Sequence, residues 1–295
     1  MSGGSPGFVQ ASLLDCPQVI ADAFELLKEK NKNVSSIGCY NHFIKNSGLR
    51  NKVFKICQEY GLDPEVRYSS VELFNCFNQS LYPDEKHRIE KFCPHGAKYM
   101  MVCITLCCKI AGNSISHSNV LKEIKKMCGQ EFGKEEITTA EYFVLQTVDY
   151  ELNFMTSLDF LDILLYYIQI LLKDGWTHLL PDFPDLAKNC LHVQDMVYIR
   201  RTKVFSKCDN YLYPDVQCDR LLIAVAIVCV SCFLMDGQLG DIVAKYLKEK
   251  CELEHKTVKF VSLCIMGALV CRHGSGLQAL QHCTICLVDL SLIKT

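Results

Sequence analysis

No sign of charge dominates this sequence. Thirty-one Lys and Arg stand against 33 Asp and Glu, a net −2 at pH 7, so the composition does not suggest a strongly basic nucleic-acid binder. Long hydrophobic runs are lacking too. The longest, Leu221–Met235, is bounded by Arg220 and Asp236 and falls short of the ~20 residues a membrane helix needs. Met1–Gly7 is rich in Gly and Ser with no apolar segment behind it, which is not a secretory signal. Catalytic motifs are missing as a class: no P-loop, no G-x-G-x-x-G, no G-x-S-x-G, no H-E-x-x-H, and histidines scattered singly. These absences predict a soluble intracellular binding module with no cofactor, no bound metal and no enzymatic activity. The 19 cysteines fit that reading as buried small hydrophobes of a reduced compartment, because most lie inside apolar helical runs.

What the chain does have is helical periodicity, and 49% hydrophobic residues suffice for a large core across two ordinary domains. The most informative stretch runs from Ala97 to Leu164. Ala97–Ala111 is apolar on every side except at Lys98 and Lys109, the pattern of a buried central helix, and Gly112-Asn113 reads as its stop. Thr138–Leu152 repeats Phe143, Val144, Val148 and Leu152 at a 3.6 period, with Glu141 facing the other way near its start. Thr156 or Ser157 then caps a further helix that carries Asp159 in its first turn.

That order resembles the cyclin box, where a helix ending A-x-K precedes E-x-x-V-L-x-x-L-x-[FY]-x-L-x-x-x-T-P-L-x-F-L; Ser157 stands where the family usually has Pro. The resemblance implies an all-α tandem cyclin-box fold of two five-helix repeats with an added N-terminal helix. It divides the chain into a disordered leader (1–14), an N-terminal helix (15–34), a first box (49–153), a second cyclin-like box (154–273) and a tail (274–295). It also implies that Lys109 and Glu141 face a kinase, contacting the helix and activation segment that place the kinase's ATP-pairing groups. Read without it, the two are a helix-end lysine and a solvated glutamate. Looser matches along the chain resemble a divergent cyclin-like branch associated with meiotic crossover formation. The partners so implied are a cyclin-dependent kinase and meiotic pro-crossover and recombination proteins, in the nucleus and on chromosomes.

Three further sites carry alternatives. Leu49, Arg50, Val53 and Ile56 occupy the place of the cyclin docking patch M-R-x-x-L-x-x-W, with Lys55 where an Asp is usual; ordinary core-facing positions of a first helix are the better explanation. Arg200, Arg201, Lys203 and Lys207 form a basic stretch near a helix end, as does Lys122–Lys126; each is either a solvated face or a contact for DNA or an acidic partner. Cys229/Cys232 and Cys283/Cys286 have C-x-x-C spacing, the second near His273 and His282. A zinc site needs a second pair in the same small module, and none is assured by spacing. Two rival functions remain. A DNA-binding initiation-factor type of cyclin fold predicts a basic face and a zinc ribbon ahead of the boxes. An ordinary kinase-activating cyclin of the cell cycle or of transcription predicts an intact docking motif and, in the cell-cycle case, a destruction box. None of these is visible.

Overall fold

The computed structural model describes residues 17–36, 47–81, 93–173, 183–205, 216 and 219–270, and within them every regular element is an α-helix. The chain divides into two compact units.

Among the described residues one unit carries five helices, which follow the N-terminal α1 (Pro17–Ser36) in sequence: α2 (Ser47–Glu59), α3 (Pro64–Ser80), α4 (Cys93–Ile110), α5 (His117–Cys128) and α6 (Lys134–Thr147). α4 is the axis. Every residue from Met100 to Cys108 is buried, and α2, α3, α5 and α6 all pack on it. Its one mid-helix hydroxyl, Thr105, is satisfied internally by donating to the Met101 carbonyl at 2.9 Å. The starts follow local chemistry. Ser116 caps α5 by accepting from the Asn119 N–H, and Gly129 (φ 74°) closes that helix. α3 begins earlier than its Ser69-Ser70 pair suggests. Asp63-Pro64 starts it, and Ser70 instead donates to the Val66 carbonyl within the helix.

The second unit has the same order. α7 (Leu158–Lys173), α8 (Phe183–Ile199) with the short α9 (Arg201–Phe205), α10 (Arg220–Met235), α11 (Gly237–Lys250) and α12 (His255–Val270) surround a central α10, buried without interruption from Arg220 to Cys232. Asp219 caps α10 by accepting from Leu222, and Asp236 both ends α10 and caps α11 through Leu239.

The N-terminal helix, α1 (Pro17–Ser36), belongs to this second unit. Its buried stripe is Ile20, Phe24, Lys28 and Asn31, whereas the apolar Val19 and Ala23 are exposed. Phe24 meets Phe160 and Tyr167 edge-on at 6.4 and 5.5 Å. Asn31 donates to Asp219 and accepts from the Arg220 N–H, both at 2.9 Å, so α1 completes the cap of α10. Lys28 reaches Glu25 at 3.2 Å and Glu252 at 3.5 Å, and lies over the Phe24 ring. Among the described residues no helix is long and apolar enough to cross a membrane. The leader (1–14), the tail (274–295) and the Cys283/Cys286 pair with His273 and His282 lie outside the described residues.

Candidate functional site

The two residues that the motif singles out come together. Lys109 Nζ donates to Glu141 Oε2 at 2.7 Å across the edge where α4 and α6 meet. The lysine side chain is 57% exposed and the glutamate 18%, so the ammonium stands outward on a half-sheltered carboxylate.

Each is held from below. Lys109 sits in the last turn of α4, where a cation complements the helix dipole. Just beyond it Gly112 adopts φ 69°, and the Asn113 N–H returns to the Cys108 carbonyl at 2.8 Å, a left-handed helix close. The Asn113 amide then donates to Asp63 at the start of α3, also at 2.8 Å, which anchors the end of α4 to a second helix. Glu141 rides on α6, and α6 is fixed to α3 and α4 by an aromatic cluster. Phe77 contacts Tyr99 at 4.9 Å and Phe143 at 5.7 Å, and Tyr99 contacts Phe143 at 5.9 Å. Such pairs contribute about 0.5–1.5 kcal/mol each beyond the area they bury.

α6 runs from Lys134 to Thr147, four residues earlier at its start than Thr138 and shorter at its end than Leu152. The Gly133 N–H donates to the Glu136 carboxylate at 2.7 Å, which sets the start. Consecutive left-handed residues Asp149 (φ 52°) and Tyr150 (φ 58°) set the end. Glu141 is therefore in mid-helix, on rigid backbone, rather than near a fraying first turn.

Next in sequence to the two charged residues, or joined to them through Tyr142, are large side chains left on the surface. Ile110 (56% exposed), Tyr142 (55%) and Tyr150 (57%) are among the most exposed large hydrophobic residues of the unit. The hydrogen bond that Tyr150 shares with Tyr142 holds its phenol above the ordinary range. A signal for this was present in the sequence: Ile110 follows the last buried residue of α4 by two, and Tyr142 lies off the Ala140–Val144 stripe. Five neighbouring positions thus offer a cation, a carboxylate and three apolar groups on a rigid edge.

The other predicted sites are placed differently. Val53 is fully buried and Ile56 is 4% exposed, so both belong to the α2 core face, packed towards α3 and α4, and neither offers a surface. Arg50 is buried with them, and Leu49's side chain is outside the described residues. In the basic stretch only Lys203 is exposed. Arg200 donates to the Ala268 carbonyl at 2.6 Å, tying the α8–α9 junction to α12, and Arg201 is buried against the Tyr198 and Phe205 rings. Lys207 is outside the described residues. In the Lys122–Lys126 stretch, Lys125 pairs with Glu131 and Lys126 with Glu59 and Glu123. Cys229 and Cys232 are both buried in mid-α10, and burial pushes the Cys229 thiol up to about 12. Among the described residues no group of three His, Cys, Asp or Glu could hold a metal.

Comparison with known proteins agrees with the motif. The chain is 22% identical to human cyclin N-terminal domain-containing protein 1 over 233 residues, 66% of this chain and 67% of the human protein. It is 20% identical to the mouse protein of the same name over 263 residues, 77% of this chain and 75% of that one. No protein-family model matches the sequence. With these relatives, the described helices that surround α4 and α10 are those of an all-α, cyclin-like protein.

Proposed function

We propose that this chain is a non-enzymatic cyclin-like regulatory subunit that binds a cyclin-dependent kinase through the edge at Lys109 and Glu141. It acts in the nucleus, on meiotic prophase chromosomes, where with pro-crossover and recombination factors it promotes the designation and maturation of crossovers. The observation that carries the reading is the ion pair itself. A motif-matched Lys and Glu, far apart in sequence, meet at 2.7 Å on two clamped helices and are bordered by exposed Ile110, Tyr142 and Tyr150. An isolated exposed pair contributes at most ~1 kcal/mol to folding, so its placement serves stability little. A partner that covers it gains oriented charge and an apolar rim at once. The meiotic setting and the crossover factors rest on the sequence resemblance.

The test is retention from meiotic tissue extract by wild type and by the Lys109→Glu/Glu141→Lys double reversal. The proposal expects a cyclin-dependent kinase on the wild type and its loss from the double reversal, with crossover factors also retained by the wild type. A kinase held equally by both proteins, or no kinase on either, sinks the kinase-binding role.

A further inference from the structure

The second unit has an opening of its own. Between α10, α11 and α12 lies a cavity of about 210 Å³ whose floor includes Cys229, Val230 and Met266. It is larger than the ~150 Å³ engineered cavity that holds a benzene ring. One wall is Phe233, on which α11 presses closely: a Cβ at Gly240 would stand 2.8 Å from the Phe233 Cα. On the floor is Ser262, 6% exposed, whose hydroxyl is buried and has no hydrogen-bond partner. Such a group normally finds one. Around the mouth stand Lys245, Lys259 and His255 against a single carboxylate, Asp241. This contrasts with Lys125, Lys126 and Lys28, which all reach carboxylates.

We infer that this cavity is a docking site for an acidic segment of a partner protein, which inserts one aromatic side chain with a polar tip. The ring fills the space against Phe233, its hydroxyl or N–H meets Ser262, and flanking carboxylates meet Lys245 and Lys259. The rim's excess of cations over its one Asp selects an acidic occupant, and the orphan hydroxyl selects an anchor of the Tyr or Trp kind over Phe or Leu. The site lies wholly in the second unit and does not depend on the Lys109–Glu141 edge.

Selection of random short peptides displayed on phage against the full chain tests this. The expected enrichment is acidic sequences with one invariant Tyr or Trp. Lys245→Glu/Lys259→Glu should weaken the best peptide at least about tenfold, and Ala244→Trp, which fills the mouth, should abolish binding. Ser262→Ala should relax the anchor to Phe. The Lys109→Glu/Glu141→Lys chain should bind as wild type does, and thermal melting confirms that each variant is folded. The proposal is overturned if no sequence is enriched, if basic or anchor-free peptides are, if the lysine reversal leaves binding unchanged, or if the lysine reversal weakens binding of a DNA duplex and no peptide is selected.

Discussion

At the Lys109–Glu141 contact, stability and recognition separate. Lys109→Glu places two carboxylates face to face, yet the cost to folding should stay near ~1 kcal/mol because the lysine is largely solvated. The double reversal restores an attractive pair and should melt within a few degrees of wild type, while presenting inverted charge to any partner. Differential scanning of the three proteins checks this. The buried thiols show a large environmental effect instead. Burial pushes Cys107, Cys190, Cys229 and Cys251 up to about 12. Unfolded thiols ionise near pH 9, so between roughly pH 9 and 12 the unfolded chain gives up protons that the folded chain keeps. These groups therefore favour folding fully below pH 9 and lose that contribution as pH rises towards 12. The melting temperature under reductant should fall from pH 8 to pH 10. Alkylation of native protein at pH 8, read by mass spectrometry, should leave Cys107, Cys190 and Cys251 unmodified and reach them only with denaturant.

Two helix contacts decide how tightly the second unit is held. α11 approaches α10 at Gly240 over Phe233, where any Cβ collides with backbone, so Gly240→Ala should cost about 1–3 kcal/mol as overpacking, measured by urea unfolding. α1 meets α7 through Phe24, 1% exposed between Phe160 and Tyr167, and Phe24→Ala should cost about 3–5 kcal/mol. The existence and order of the helices were legible in the sequence because α4 and α10 are apolar on all sides, a signal independent of boundaries. The boundaries were less so. Asp63-Pro64 is as good a start as Ser69-Ser70, and only packing chooses between them. The end of α6 is set by Asp149 and Tyr150 taking left-handed backbone, which neither residue type announces. Apolar spacing does not reveal the α1 stripe, because it buries Lys28 and Asn31, polar residues whose partners, Glu252, Asp219 and the Arg220 N–H, come much later in sequence. Lys109 and Glu141 were found by motif. Ile110, Tyr142 and Tyr150 were not, since the motif names only the charged pair and an off-stripe aromatic is not by itself a surface.

On the scale of the whole molecule, the chain's two units are unequal in what they require. The residues of the first, from α2 to α6, are contiguous, while the second draws on α1 from the far side of that block. Deleting residues 17–36 should therefore lower amide-exchange protection in α7 and α10 while leaving α4 protected. A peptide of residues 17–36 added back should restore it. This arrangement also has a consequence in time. On the ribosome α1 emerges first, yet the surface it must cover at Phe160 and Tyr167, and the helix start it must cap at Asp219 and Arg220, are made well over a hundred residues later. Phe24 and Ile20 spend that interval without their final neighbours, while the first unit can complete itself behind them. A helix synthesised ahead of the whole first unit is thus among the last to settle, and the interval is an opening in which a chaperone could engage it.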